Sequence, residues 1–129
     1  MAINAADFVV TKTIPLAAGL KLCFGVWTPS DGTTAVGAAN SYTSGGETIT
    51  KAIAKAAFGF DEIKFMSFEP LILADKSAAR PMVFDHAVSG TTLGKLHVYV
   101  AATGAEVAST TNLNTTSVNT SRFVVMGVG

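Results

Sequence analysis

The sequence predicts an all-β fold, an antiparallel β-sandwich or barrel of about seven strands with one short helix. Three observations carry that expectation. Apolar and polar residues alternate at period two along several segments, the spacing that puts one face of a strand on a core. Gly-containing turns separate those segments. One stretch alone, residues 50–59, combines helical spacing with start and stop signals. A length of 129 residues fits a single β domain, residues 1–129.

The first strand is expected over residues 7–14, with Phe8, Val10 and Ile14 on one face. The second covers residues 20–28. Its Leu20, Leu22, Phe24 and Val26 read as core, while Lys21, Cys23, Gly25 and Trp27 form a face that is at most half covered. Residues 29–47 form a long loop of small residues, with Tyr42 as its one large side chain. Loops of that length are uncommon without a role, and small residues let such a loop lie flat on a neighbour.

Thr50 is the expected helix N-cap and Gly59 the residue that ends the helix, with Ile49, Ile53 and Ala56/Ala57 on one face. Two turns are too short to persist alone, so the helix must pack on the sheets. Residues 62–70 begin a strand with Ile63 and Phe65 on one face, and the phase shift by Phe68 suggests a bulge or a strand buried on both sides. Residues 70–80 connect to a short strand at 82–87, followed by a turn at Ser89-Gly90. Residues 95–101 alternate most cleanly, with Leu96, Val98 and Val100 inward and Lys95, His97 and Tyr99 outward; a turn at Thr103-Gly104 pairs them with 106–108. After a polar loop at 112–121, the terminal strand 121–129 is apolar on both faces. It is therefore central in a sheet or buried against another chain.

Composition narrows function. Charged residues make up 14% of the chain, against about 25% in ordinary soluble domains. Nine basic residues balance nine acidic ones without clustering, which argues against nucleic-acid binding. With mean hydropathy of +0.43, such a weakly charged surface favours association with other protein. No apolar run approaches a membrane span, and the first residues lack the basic and apolar regions of a signal peptide. Cys23 is the single cysteine, so no internal disulfide forms, in keeping with synthesis in a cytoplasm. The sequons at Asn114 and Asn119 then read as a polar loop.

No catalytic or metal-binding pattern stands out. Asp85 and His86 are adjacent on a strand, point to opposite faces, and cannot orient each other. No Ser lies in a nucleophile elbow, Cys23 sits in an apolar strand, and no zinc or phosphate-loop spacing occurs. The expectation is a non-enzymatic protein without cofactor or metal. A glycan-binding sandwich would need Trp27, Tyr42 and Tyr99 as stacking platforms, and these fall on three separate segments.

Four stretches, in order, resemble a known group. They are GLKLCFGVWT; SYTSGGETIT running into the helix and Gly59-Phe60; MVFDHAVSGTTLGKLHVYV; and TGAEVASTTNL leading to RFVVMGVG. Together they cover most of the chain, which is similar to the capsid decoration or cement proteins of tailed bacteriophages. The resemblance implies a virion protein made in the host cytoplasm, a homotrimer that clamps major capsid protein subunits, with no functional residue to transfer. A tail, spike or adaptor subunit would share the same sequence character. Contacts are expected to involve Trp27, Tyr42, Val124, Met126 and Val128.

Overall fold

Alternating β-branched and aromatic residues set the strands of a computed structural model that describes residues 3–29, 42, 45–72, 79–107 and 120–129 and that, apart from short 3-10 turns at Ala5–Asp7 and Ala17–Gly19, holds nine strands and one α-helix among those residues. In chain order these are β1 (Phe8–Pro15), β2 (Leu20–Trp27), β3 (Glu47–Thr50), α1 (Lys51–Phe58), β4 (Glu62–Phe68), β5 (Leu71–Ile72), β6 (Ala79–Arg80), β7 (Met82–Asp85), β8 (Thr92–Val98) and β9 (Ser121–Val128). The first sheet has the order β1-β2-β9-β4 and the second β3-β8-β7, both antiparallel. β5 and β6 make a separate two-stranded ribbon within the segment expected to be a plain connection. Among the described residues, the seven strands of the two main sheets and one α-helix make the predicted all-β, sandwich-like fold.

The core lies between the sheets. Its centre is a cluster of rings in which Phe123 meets Phe8, Phe58 and Phe68 at centroid distances of 5.6, 5.5 and 6.0 Å. Trp27 stacks on Phe8 and meets Phe68 edge-on. From the second sheet, Met82, Leu96 and Val98 face the same interior. β4 packs beside β7, where His86 Nε2 lies 3.1 Å from the Ile63 carbonyl, so the two sheets close on each other along that edge. On the other side α1 packs on β1 and β3, burying Ala54 and Phe58. Thr50 caps α1 by accepting from the Ile53 amide at 3.2 Å, and Gly59 ends it at φ 78°.

Strand phase departs from the sequence reading at three places, and bulges explain two of them. In β1, Val10 pairs with Gly25 and Lys12 with Phe24, leaving Thr11 as an extra residue. Phe8 and Val10 therefore face the core, but Ile14 falls on the opposite side, against Leu22. In β4 the extra residue is Lys64, which separates Ile63 in the core from Phe65, 48% exposed. The third departure is β2. Cys23, Gly25 and Trp27 form its buried face, while Leu22, Phe24 and Val26 point outward. Gly25 shows why: a Cβ there would lie 2.7 Å from the Phe123 ring and clash with the Val9 carbonyl. The missing side chain admits the central ring of the core, so a face that looks sparse in sequence is filled from next door.

Two further expectations are corrected. Val100 lies beyond the end of β8 and is 38% exposed. The hairpin after it shrinks to a bridge between Tyr99 and Glu106, with Val107 N donating to the Val98 carbonyl at 2.9 Å. Most of the small-residue loop 29–47, most of the polar loop 112–121 with Asn114 and Asn119, and residue 108 lie outside the described residues.

Candidate interaction face

The outward surface of the first sheet is built by register. One row across the sheet is Lys12, Phe24, Val124 and Ser67; the next is Ile14, Leu22, Met126 and Phe65. Above them Val9, Val26 and Arg122 form a third row, and Leu20 and Val128 continue the apolar surface below. Val9 is 57% exposed and Phe24 37%; Leu22, Val26, Val124, Met126 and Val128 are half-buried by one another. A solvent-facing side of an antiparallel sheet ordinarily alternates to polar residues. Here both sides of β2 and β9 are apolar.

Charge on this face is confined to its margins. Arg122 Nε and Nη2 both lie 3.0 Å from Glu69 Oε2, and the Arg122 amide donates to Glu69 Oε1 at 3.0 Å. Lys64 and Glu62 pair at 2.7 Å at the far corner. Lys12 projects from the opposite edge strand. Beside Arg122 an open groove of about 480 Å³ runs between Phe24, Ser67, Glu69 and Val124. An apolar centre with a polar rim is the anatomy of a protein–protein interface.

The residues expected at contacts divide. Val124, Met126 and Val128 lie on this face. Trp27 and Tyr42 do not reach any surface, being 0% and 1% exposed. Their size serves the core, so neither can touch a partner or stack on a sugar in this fold, and the three-aromatic glycan platform is not assembled. Leu22, Phe24 and Phe65 escape a contact reading because an alternating apolar face is the ordinary sign of a core face, and Val9 because it lies between Phe8 and Val10, which face the core. The available signal was that the alternate positions of β2, Cys23 and Trp27, are also apolar.

The outer side of the second sheet is different in kind. Tyr42 Oη donates to Glu106 Oε1 at 2.5 Å and accepts from the Val98 amide at 3.2 Å. The Gly45 amide (2.9 Å) and His97 Nδ1 (3.3 Å) converge on the same Glu106 oxygen. His97 Nε2 faces Asp85 at 3.7 Å, so Asp85 meets this histidine rather than its chain neighbour His86. Burial, and then the bond to Glu106, push the Tyr42 phenol well above its usual range. The Tyr42 bond, joined by Gly45 and His97, holds the Glu106 carboxyl below its usual range. The phenol thus keeps its proton and the carboxylate stays ionised, an arrangement that ties both Tyr42 and Gly45 to Glu106.

Comparison with known proteins gives no match: no family model, no curated protein and no solved structure is similar to this chain. Among the described residues no group of three His, Cys, Asp or Glu is placed to hold a metal ion, and no helix is long and apolar enough to cross a membrane. A second concavity of about 400 Å³ lies between Lys51, Asp61, Ile63, His86, Val88 and Leu93. Its histidine is already bonded to the Ile63 carbonyl.

Proposed function

We propose that this chain is a non-enzymatic structural protein of a virion, a decoration or cement subunit that associates with copies of itself and stabilises an assembled shell of major capsid protein. The observation that carries the reading is the apolar outer face of the first sheet, centred on Phe24, Val124, Met126 and Phe65. A face of this kind is stable in water only at a cost in hydration that covering it with protein removes. The 14% charged composition supports the same role, since little repulsion opposes assembly. The shell as partner rests on the resemblance of the order and spacing of four sequence stretches to those of tailed-phage decoration proteins.

Co-expression with the shell proteins of the parent particle tests the reading. The chain is expected to sediment with assembled shells at a fixed ratio to the major capsid protein. A chain that stays in the supernatant beside intact shells would overturn it. Electron cryo-microscopy of the sedimented particles separates shell from tail: density confined to the tail would replace decoration by a tail or adaptor role.

A further inference from the structure

We propose that the outer face of the first sheet is covered by a second copy of this chain, the two sheets stacking face to face about a two-fold axis that runs along the strands. The inference rests on the assembly reading above but names the occupant of the face.

Size is the first argument. Four strands about 4.8 Å apart and eight residues rising about 3.3 Å each give a plan area of about 500 Å². With its side-chain relief, such a face approaches the ~800 Å² per partner of a stable interface. Stacked sheets sit about 10 Å apart with their strands within about 30°, so a sheet is a ready partner for a sheet.

Self-complementarity is the second. A two-fold axis along the strands, between β2 and β9, exchanges the two sides of each row. Phe24 of one copy then meets Val124 of the other, Leu22 meets Met126, and Ile14 meets Phe65. Each central contact is apolar on both sides.

Charge is the third argument, and it selects the axis. Lys12 on the β1 edge would stand over Ser67 on the β4 edge, near the Glu69 carboxylate that closes the same edge. A two-fold axis across the strands along the Lys12–Phe24–Val124–Ser67 row would instead place β1 over β1 and bring the two Lys12 ammonium groups together. Glu62 and Glu69 are each paired with a cation of their own copy, so neither edge drives the copies apart.

Size-exclusion chromatography with light scattering on the purified chain tests this without any shell. The expected mass at micromolar concentration is twice the 13.3 kDa of one chain. Val124→Asp is expected to give a monomer whose circular dichroism spectrum matches the parent. Lys12→Glu, at an exposed site that leaves the fold intact, is expected to weaken dimerisation about fivefold, and adding Ser67→Lys to restore it. A parent chain that is monomeric, or a trimer of the kind the resemblance implies, overturns the inference. So does a dimer indifferent to both Val124→Asp and the charge swap. A monomer that still sediments with shells overturns the inference while leaving the assembly reading intact.

Discussion

The two sheets of this molecule face outward in opposite ways. The β1-β2-β9-β4 sheet turns Phe24, Phe65, Val124 and Met126 to the exterior and keeps its charges at the corners. The β3-β8-β7 sheet turns out Asp85, Lys95 and His97 with Val83 as the one large apolar side chain exposed on its strands, and gathers Tyr42 and Glu106 into one hydrogen-bonded network among the described residues. Both sheets share one core, so the difference is not required for folding. It leaves one sheet with outer groups hydrogen-bonded within the chain and the other with an apolar outer face, which the reading proposed above covers with other protein.

The sharpest way to break that division is within β9, where adjacent residues belong to opposite sides. Val125 is fully buried and Val124 lies on the outer face. Val125→Asp places a charge in the core, which costs several kcal/mol against a total stability of about 5–15. Loss of the cooperative thermal transition is expected. Val124→Asp is expected to leave a transition in the monomer lowered by no more than about 1 kcal/mol. If both variants melt alike, the outer face is part of a core that residues beyond those described complete.

The second test falls on the polar sheet. Tyr42→Phe removes the hydroxyl that accepts from the buried Val98 amide and donates to Glu106. An orphaned buried amide costs about 1–3 kcal/mol, so the urea midpoint should fall accordingly while assembly state is unchanged. If instead oligomerisation fails and stability holds, the roles assigned to the two sheets are exchanged.

Much of this was legible in the sequence, and what was not has a definite physical cause. The fold class, α1 with its Thr50 cap and Gly59 stop, and the inward Leu96 and Val98 follow from local rules of spacing and capping. The central place of β9 follows from its two apolar faces. The faces of β1 and β4 do not, because Thr11 and Lys64 bulge and invert everything after them. The inner face of β2 is hidden because Gly25 is filled by Phe123, nearly a hundred residues away in sequence. The interaction face inherits both errors. Its Leu22, Phe24 and Phe65 read as core from the sequence while Val124, Met126 and Val128 read as contacts, and Trp27 and Tyr42 read as surface, since large aromatics suit either place.

Protonation gives a third test, again confined to the polar sheet. Glu106 has a folded pKa depressed below its ordinary 4.5, chiefly through the Tyr42 bond. A depressed carboxyl contributes stability that is present above its unfolded value and lost as pH falls through the folded one. Tyr42 has a folded pKa raised above 10.0. Its contribution is present below pH 10 and lost as pH rises beyond that value. Urea midpoints measured across pH should therefore fall at the acid and alkaline ends. Tyr42→Phe should flatten the alkaline fall, and Glu106→Gln the acid one. An acid limb that Glu106→Gln leaves unchanged would assign it to other carboxylates.

The smallest expected effect completes the contrast between the two sets of charges. Glu69 and Arg122 make the best-formed ion pair on the apolar sheet, two contacts at 3.0 Å. Yet the Arg122 side chain is 79% exposed, and water screens an exposed pair to about 0–1 kcal/mol. Glu69 is also held from two other directions. Its carboxylate accepts from the Arg122 amide, and its carbonyl accepts from the buried Ser121 hydroxyl. Arg122→Ala keeps both of those bonds and removes only the guanidinium. Its thermal midpoint should fall by a few degrees at most, less than for Tyr42→Phe, because no buried group loses its partner. A loss as large as that of Tyr42→Phe would mean that the corner charges of the apolar sheet brace the strand ends in the same way as the Glu106 network.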